Sequence, residues 1–171
     1  MKKVLISVDD TKGSKSVLSV FGNLLRPPEE VILLYVIRLE GKSLMTGVPG
    51  EAELATLRES LEGTEYREEL NRKAKSVLNY YKKELENGGL IRIKTLIRDG
   101  VPADVILSVA EEEEVDLIIT GSNEKNGLLK FITGCISRKV EKNAKAHLLV
   151  TKGDDCGVHS HLWQGRDAYA I

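Results

Sequence analysis

The part of the sequence that decides the fold reads Val115-Asp-Leu-Ile-Ile-Thr-Gly-Ser-Asn-Glu-Lys-Asn-Gly127, continues with Phe131-Ile-Thr-Gly-Cys-Ile-Ser137 and ends with Ala146-His-Leu-Leu-Val-Thr151. A short apolar run stops at Gly121, a polar loop with a glycine follows, and Gly134 comes just before a segment with helical spacing. This order is typical of a strand, a phosphate-type loop, a helix and a second strand. Because backbone N–H groups at the start of a helix bind anions, the stretch predicts an anion site, provided that this copy of the loop still holds one.

Similar apolar runs, rich in Val and Ile, recur along the rest of the chain, and several are apolar on both faces. Doubly buried strands of a parallel sheet have this composition. We therefore predict five strands, at Val4–Val8, Val31–Ile37, Ile91–Ile97, Leu117–Thr120 and Leu148–Thr151.

Segments with helical spacing lie between these runs. We predict four helices, at Ser14–Leu25, Tyr66–Leu85, Ala103–Glu113 and Gly127–Asn143. Strands that alternate with helices predict an α/β domain with a mainly parallel sheet. Ligands of such domains bind at the carboxyl ends of the strands, where the strand order reverses. We therefore expect Asp9 and Gly121, each of which follows a strand, to face each other there.

Two regions fit this pattern less well. Leu39–Gly63 contains Gly, Pro, Met and scattered charge with weak helical spacing. We interpret it as a long connection over the carboxyl edge of the sheet, either without regular structure or partly helical. The tail after Gly153 has no periodicity, which predicts one domain at residues 1–152 and an arm at residues 153–171. Trp163 and Tyr169 favour an arm that docks on a partner subunit or near Met45, because aromatic side chains favour burial.

Composition and charge argue against several classes of partner. Hydrophobic residues make up 42% of the chain and charged residues 30%, as in an ordinary globular domain. The net charge of -1 favours neither nucleic acid nor an anionic membrane as a partner, and no apolar run approaches the length of a membrane span. Two cysteines do not make a disulfide framework, so we expect a cytoplasmic protein.

Five pieces of the sequence occur in a specific order and spacing: Val4-Leu-Ile-Ser-Val-Asp9, Val31-Ile-Leu-Leu-Tyr-Val36, Arg98-Asp-Gly-Val-Pro-Ala103, Asp116-Leu-Ile-Ile-Thr-Gly121 and Gly134–Thr151. Together they make the chain resemble the universal stress protein (UspA-like) family from Lys3 to about Lys152. The resemblance implies an open five-stranded parallel sheet with helices on both faces, Rossmann-like and similar to the adenine nucleotide alpha hydrolases, with strand order 3-2-1-4-5. It also implies a homodimer paired through the last strand, here His147–Thr151, because an unpaired strand edge is a template for pairing.

Many members of that family bind ATP and others do not, and the resemblance implies where a nucleotide would lie. Asp9 matches the acidic residue that contacts the adenosine end, and Val36 matches a second-strand position whose backbone faces the base. Asn123 and Lys125 are candidates for phosphate contacts. The full set of candidate nucleotide-binding residues is Asp9, Val36, Thr120, Gly121, Asn123, Gly134, Cys135, Ile136 and Ser137.

This copy of the loop departs at two positions from the pattern of the ATP-binding members, Gly-x-x-Gly, nine residues, Gly-Ser/Thr. With Gly121 and Gly134 aligned, Glu124 replaces the middle glycine and Cys135 replaces the Ser/Thr. A carboxylate about 4 Å from a phosphate costs on the order of 1 kcal/mol even at water-like dielectric, and the lost hydroxyl removes a donor worth about 1.5–3 kcal/mol. Ser137 still matches a family hydroxyl position. We therefore expect a degenerate site and no required cofactor, with retained binding of ATP or AMP as the alternative.

The acidic clusters have plainer interpretations than catalysis or metal binding. Asp9 and Asp10 after a first strand also resemble the acidic pair of a phosphorylated receiver domain. A receiver needs a third acidic residue at the end of its third strand, whereas the predicted third strand here ends at Ile97, with Asp99 only nearby. For Asp10 a turn or helix-capping role is the plainer interpretation. Glu111–Glu114 is interpreted as a solvated helix end rather than a metal site.

The sulfur and imidazole groups also leave alternatives open. Cys156, His159 and His161 have a spacing that suits zinc, but no fourth ligand lies at a motif distance. Cys135, at a predicted helix start, is either a reactive thiol with a lowered pKa or a small buried side chain. We expect no resident metal.

No catalytic constellation is present in the sequence. It contains no Gly-x-Ser-x-Gly elbow, no Walker-type Gly-Lys-Ser/Thr and no His-Glu-x-x-His motif. Together with the family resemblance, this predicts a non-enzymatic stress or signalling module that dimerises and binds an unknown protein partner. The first alternative is a protein that binds ATP or AMP and changes its partner affinity with occupancy, and the second is slow ATP hydrolysis.

Overall fold

The computed structural model describes residues 2–10, 12–22, 28–38, 50–87, 92–122 and 136–152. The strands are β1 (Lys3–Ser7), β2 (Glu30–Ile37), β3 (Arg92–Asp99), β4 (Leu117–Ser122) and β5 (His147–Lys152). The helices are α1 (Lys12–Gly22), α2 (Glu51–Leu61), α3 (Glu65–Glu86), α4 (Pro102–Glu112) and α5 (Ile136–Asn143).

The strands form one sheet in the order β3-β2-β1-β4-β5, and every pairing is parallel. In the middle of the sheet, Ser7 pairs with Leu34 on one side and with Thr120 on the other. The strand order reverses between β1 and β4, so the carboxyl ends of these strands form the switch point of a doubly wound fold. The predicted fold class and strand order are confirmed.

Apolar side chains from both faces of the sheet fill two cores. Residues of α1 and α3, such as Val17, are buried on one face, and residues of α4 and α5, such as Ile106, are buried on the other. Successive strand residues point to opposite faces, so Val4 belongs to the first core and Leu5 to the second. This arrangement explains why the strand sequences are apolar at consecutive positions.

The long helix α3 follows its predicted apolar stripe. Thr64 precedes the helix, and its Oγ1 accepts a hydrogen bond of 3.2 Å from the N–H of Arg67, which satisfies one of the unpaired donors of the first turn. The helix buries one stripe against the sheet, made of Ala74, Leu78, Tyr81 and Leu85.

The predicted connection at 39–63 contains the helix α2, which the sequence indicated only weakly. Its described side chains are mostly exposed, and among them Leu57 and Leu61 pack against the core as partly buried residues. Its start is stabilised by Glu53, whose Oε2 accepts from the N–H of Gly50 at 3.2 Å. Residues 39–49, the first part of the predicted last helix at 127–135 and the predicted arm at 153–171 lie outside the described residues, so the domain boundary stays a prediction.

One edge of the sheet is strongly charged. β3 continues to Asp99, two residues past its predicted end, because it pairs with β2 as far as Ile37. Arg92, Lys94 and Arg98 are exposed along it, as is common on edge strands that avoid further pairing. Within the described ranges, no helix has both the length and the apolarity that crossing a bilayer requires.

Candidate functional site

An open pocket lies at the carboxyl edge of the sheet, where β1, β2 and β4 end. It encloses about 430 Å³ of empty space, counting the part open to solvent. The lining residues are Ser7, Val8, Asp9, Val36, Arg38, Pro102, Ile106, Thr120, Gly121 and Ile136. The pocket therefore lies at the reversal of strand order, as the fold class predicts.

The floor of the pocket is built by three adjacent strands. Ser7, Val36 and Thr120 come from β1, β2 and β4 and all line the pocket. Strand residues two apart face the same side of a sheet, so Val36 continues the face of Leu34 and Thr120 continues the face of Ile118. Both of these neighbours belong to the core under α4 and α5, so the floor continues that core toward solvent.

The first turns of α4 and α5 form the opposite wall. Before α4, the chain turns at Gly100, which has a φ of 141°. The N–H of Gly100 donates to the carbonyl oxygen of Ile37 at 3.1 Å, which holds the turn against β2. The helices begin at Pro102 and Ile136. Because first-turn N–H groups lack partners inside a helix, both helix ends favour negative charge.

The strand β2 extends beyond β1, and this directs the backbone of Val36 at the pocket. Val8 donates its N–H to the carbonyl oxygen of Leu34 at 2.9 Å on the β1 side, whereas the carbonyl of Ile37 accepts from Gly100 on the β3 side. Successive residues of a central parallel strand alternate between the two neighbours in this way. The N–H and C=O of Val36 therefore point to the β1 side, where β1 has already ended. A donor next to an acceptor is complementary to the edge of a nucleobase.

The two aspartates that follow β1 lie in different surroundings. Asp10 Oδ2 lies 2.6 Å from Nζ of Lys73 on α3, and this contact is the main reason that the pKa of the Asp10 carboxyl is below its usual value. The same contact raises the pKa of Lys73. Asp9 is instead half-buried and lines the pocket. Asp10 thus ties α3 to the end of β1, and Asp9 is the carboxylate of the two that lines the pocket.

The structure brings together most of the predicted site residues that it describes. Five of them line the pocket: Asp9, Val36, Thr120, Gly121 and Ile136. Ser137 lies in the first turn of α5. Asn123, Gly134 and Cys135, and with them the substituted position Glu124, lie outside the described residues, so their roles stay predictions.

Sequence reasoning missed several residues of the lining. Arg38 follows β2 directly, and a charged residue just past a strand at this edge was the signal that would have found it. Pro102 and Ile106 had no such signal, because they reach the pocket only through the packing of α4 on the sheet.

The position of Asp99 shows that the receiver-domain interpretation is wrong. A receiver sheet places its third strand next to the first, whereas β2 separates β3 from β1 here. Asp99 also has cationic partners, because both Nη atoms of Arg67 contact its carboxylate at 2.9 and 2.8 Å and Nε of Arg58 lies at 3.2 Å. Asp99 therefore joins α2 and α3 to the end of β3.

The glutamates at the end of α4 contact cations, as a solvated helix end does. Their ion pairs have N–O distances of 2.5, 3.9 and 2.7 Å and are Glu111–Lys145, Glu112–Arg98 and Glu113–Lys94. Within the part of the chain that the structure describes, no group of three or more His, Cys, Asp and Glu side chains is placed to hold a metal ion. The zinc-like spacing at Cys156 and His159 lies outside those residues.

Comparison with known proteins agrees with this architecture. The model of the Universal stress protein family matches residues 1–152. A universal stress protein of Methanocaldococcus jannaschii, MJ0577, is 35% identical over 127 residues, which cover 72% of this chain and 77% of the relative. A second universal stress protein of the same organism, MJ0531, is 32% identical over 152 residues, or 88% of this chain and 82% of the relative.

Solved structures share the fold. The structure of MJ0577 superposes with a TM-score of 0.67 at 30% identity, covering 91% of this chain and 98% of that one. A universal stress protein family member from Arabidopsis thaliana with AMP bound has a TM-score of 0.60 at 17% identity, covering 90% of this chain and 93% of that one. A universal stress protein in complex with cAMP has a TM-score of 0.59 at 14% identity, covering 90% and 98%. At such low identity the last two show the common fold.

Proposed function

Because this chain belongs to the universal stress protein family, we propose that it is a signalling module that binds adenosine nucleotides, with AMP held about as well as ATP, at the carboxyl ends of β1, β2 and β4. The observation that carries the proposal is the convergence of Asp9, Val36, Gly121 and Ile136 on one pocket. Such a module works by occupancy, because a ligand that prefers one state of the protein shifts its affinity for a partner.

The adenosine half of the site is the part that the described residues support. The backbone donor and acceptor of Val36 suit the edge of an adenine ring, and Ile106 and Ile136 offer apolar surface to its face. The carboxylate of Asp9 is an acceptor for ribose hydroxyls, since an ionised carboxyl only accepts hydrogen bonds. Few polar groups on an apolar wall are typical of small-molecule sites.

The phosphate half of the site is expected to contribute little to binding the second and third phosphates of a nucleotide. Glu124 introduces a carboxylate and Cys135 lacks a hydroxyl, so the loop repels a triphosphate more than it repels a monophosphate. The first turn of α5 still offers backbone N–H groups to one anionic group. Proteins of the same fold were solved with AMP and with cAMP, ligands that carry a single phosphate, which supports AMP as a ligand here.

Calorimetric titration of the purified protein with AMP and with ATP tests the proposal. We expect dissociation constants within a few-fold of each other and below about 100 µM, or roughly 5.5 kcal/mol. Asp9→Asn should raise the dissociation constant for AMP by about tenfold or more, since a hydrogen bond to a charged group contributes about 1.5–3 kcal/mol. Asp10→Asn is the matched control, because Asp10 is paired with Lys73 instead. Binding that is equally strong in both variants, or absent from the wild type, would refute the site.

The altered loop is tested separately. Replacing Glu124 with Gly and Cys135 with Ser together should raise the affinity for ATP by at least about tenfold, because the two changes restore a phosphate-facing backbone and a hydrogen-bond donor. AMP should change less. If the double variant leaves the ratio of ATP to AMP affinity unchanged, the loop substitutions do not explain why ATP binds no more tightly than AMP.

A homodimer paired through β5 is the second part of the proposal. The charged side chains of β3 and their ion pairs disfavour pairing there, whereas β5 offers Leu148 and Val150 as partly buried apolar residues. The N–H of His147 donates to the carbonyl of Asp116 at 3.0 Å, on the β4 side. By the alternation of a strand, the backbone groups of Leu148 and Val150 point to the free edge.

This geometry allows the edge to be blocked without touching β4. Val150→Pro removes an outward N–H, and proline is tolerated on edge strands, so we expect a folded monomer by light scattering with an unchanged circular dichroism spectrum. Val150→Ala, which keeps the N–H, should remain a dimer. A Val150→Pro protein that still dimerises would show that the subunits pair elsewhere.

A further inference from the structure

Arg38 is the cationic residue among the described residues that line the pocket. It follows β2 directly, is exposed and lies beside Val36 at the pocket. In the ranges that the structure describes, no hydrogen bond or ion pair joins Arg38 to another residue, whereas Arg58 and Arg67 at the same edge are both bound to Asp99. Within those ranges, therefore, no other side chain holds its guanidinium.

We propose that Arg38 contacts the nucleotide directly, with its guanidinium lying against the face of the purine base that Val36 holds by the edge. The inference rests on the proposed function, because it needs a base in this pocket. It goes beyond that function by assigning a residue that determines affinity for the base itself, independent of the phosphates.

The register of β2 supports a contact with the ring face rather than the ring edge. Backbone hydrogen bonds of a sheet lie near its plane, and side chains stand off it. A base bonded to the N–H and C=O of Val36 therefore extends in the plane of the sheet beyond the end of β1. Arg38 is two residues past Val36, which puts it on the same side of the strand, where it lines the pocket with Ile106. A side chain from that side meets the face of the ring.

The position of Arg38 in the sheet also separates it from the phosphates. Gly121 lies near the end of β4, and β1 lies between β2 and β4. Two strand spacings amount to about 10 Å, so Arg38 lies at the β2 side of the pocket, whereas Gly121, the first residue of the predicted phosphate loop, lies at the β4 side. A planar, delocalised guanidinium stacks on aromatic rings, which an ammonium does less well.

The charges near Arg38 define the competing explanation. Lys73 chiefly, and Arg38 more weakly, hold the pKa of Asp10 below its usual value, so the charge of Arg38 acts on Asp10. If Arg38 did no more than balance the charge of Asp9 and Asp10, Lys would replace it without loss, and ligands would gain nothing from its planar group.

Titration of the full chain with adenosine, AMP and ATP separates these roles. We expect Arg38→Ala to lower the affinity for all three ligands by one common factor of about 5- to 30-fold. Arg38→Lys should recover only a small part of the lost affinity. Arg72→Ala, on the exposed face of α3 and outside the pocket, is the control and should bind like the wild type. Thermal unfolding of each variant checks that the pocket still folds.

Each result decides the matter. A loss confined to AMP and ATP would make Arg38 a phosphate contact and overturn the proposal, as would full recovery by Arg38→Lys or no loss in Arg38→Ala. Binding of adenosine distinguishes a failure of the role of Arg38 from a failure of the proposed function. If the wild type binds adenosine or AMP and Arg38→Ala binds them equally, only the role of Arg38 fails, whereas a wild type that binds none of the three ligands refutes the proposed function and this inference with it.

Discussion

The ion pair between Arg67 and Asp99 tests whether burial, rather than distance, determines the strength of the charged contacts in this protein. The two Nη atoms of Arg67 contact the two carboxylate oxygens of Asp99 at 2.9 and 2.8 Å. The side chains are only 19% and 10% exposed. A partly buried, bidentate pair of this kind is expected to be strong. We predict that Arg67→Met destabilises the fold, because it leaves a largely buried carboxylate with one partner fewer.

The magnitude follows from the partners that remain. Hydrogen bonds to a charged group contribute about 1.5–3 kcal/mol each, but Arg58 still lies 3.2 Å from the same carboxylate with a side chain that is 52% exposed. We therefore expect a loss of about 2 kcal/mol from the free energy of unfolding, which lowers the melting temperature by about 4–8 °C in a domain of this size.

A double-mutant cycle measured by urea unfolding isolates the pair. Arg67→Met, Asp99→Asn and the double variant should give a coupling energy of about 1–2 kcal/mol. The control cycle uses Lys145 and Glu111, whose N–O distance is 2.5 Å but whose side chains are 86% and 70% exposed. Water and salt screen such a pair, so its coupling should be within error of zero. Equal coupling in the two cycles would refute the reasoning from burial.

Two further substitutions test the turn beside the pocket and the start of the sheet. Gly100→Ala should lower the free energy of unfolding by about 1–3 kcal/mol, because φ is 141° and the new Cβ would lie 3.0 Å from Cγ2 of Val105; an unchanged urea midpoint would contradict this. The N–H groups of Lys2 and then Lys3 hold the pKa of Asp116 below its usual value, so its contribution is present above the unfolded pKa and is lost as the pH falls through the lower folded pKa. Asp116→Asn should therefore be less stable than the wild type near neutral pH, by about 1 kcal/mol, and the difference should shrink below about pH 4; a gap that stays constant with pH would contradict this role.

The strands could be placed from the sequence because burial on both faces leaves a strong pattern. Leu5 and Ile6, for example, face opposite cores, so neither position tolerates a polar side chain. The sequence signal is weaker for α2, because its described side chains are mostly exposed. The end of β3 was predicted too early, at Ile97, because the last two residues of the strand are charged and a buried-strand pattern excludes charged residues.

The candidate site was only partly predictable for a similar reason. Asp9 and Gly121 follow strands whose ends meet at the switch point, so topology alone brings them together. Ile106 belongs to a helix whose sequence pattern indicates only that it packs on the sheet, and its place in the pocket depends on where α4 lies. The backbone of Val36 became a candidate on physical grounds only through the register, which shows that β2 extends past the end of β1.

Amide NMR of the isotopically labelled protein during a titration with AMP tests the central claim most directly. An adenosine nucleotide bound at the switch point should shift the amide signals of Asp9, Val36, Gly121 and Ile136, which line the pocket, and leave that of Lys94 on the far edge strand unchanged. Signals of these four residues that stay in place at millimolar AMP, or shifts confined to other parts of the sheet, would contradict it.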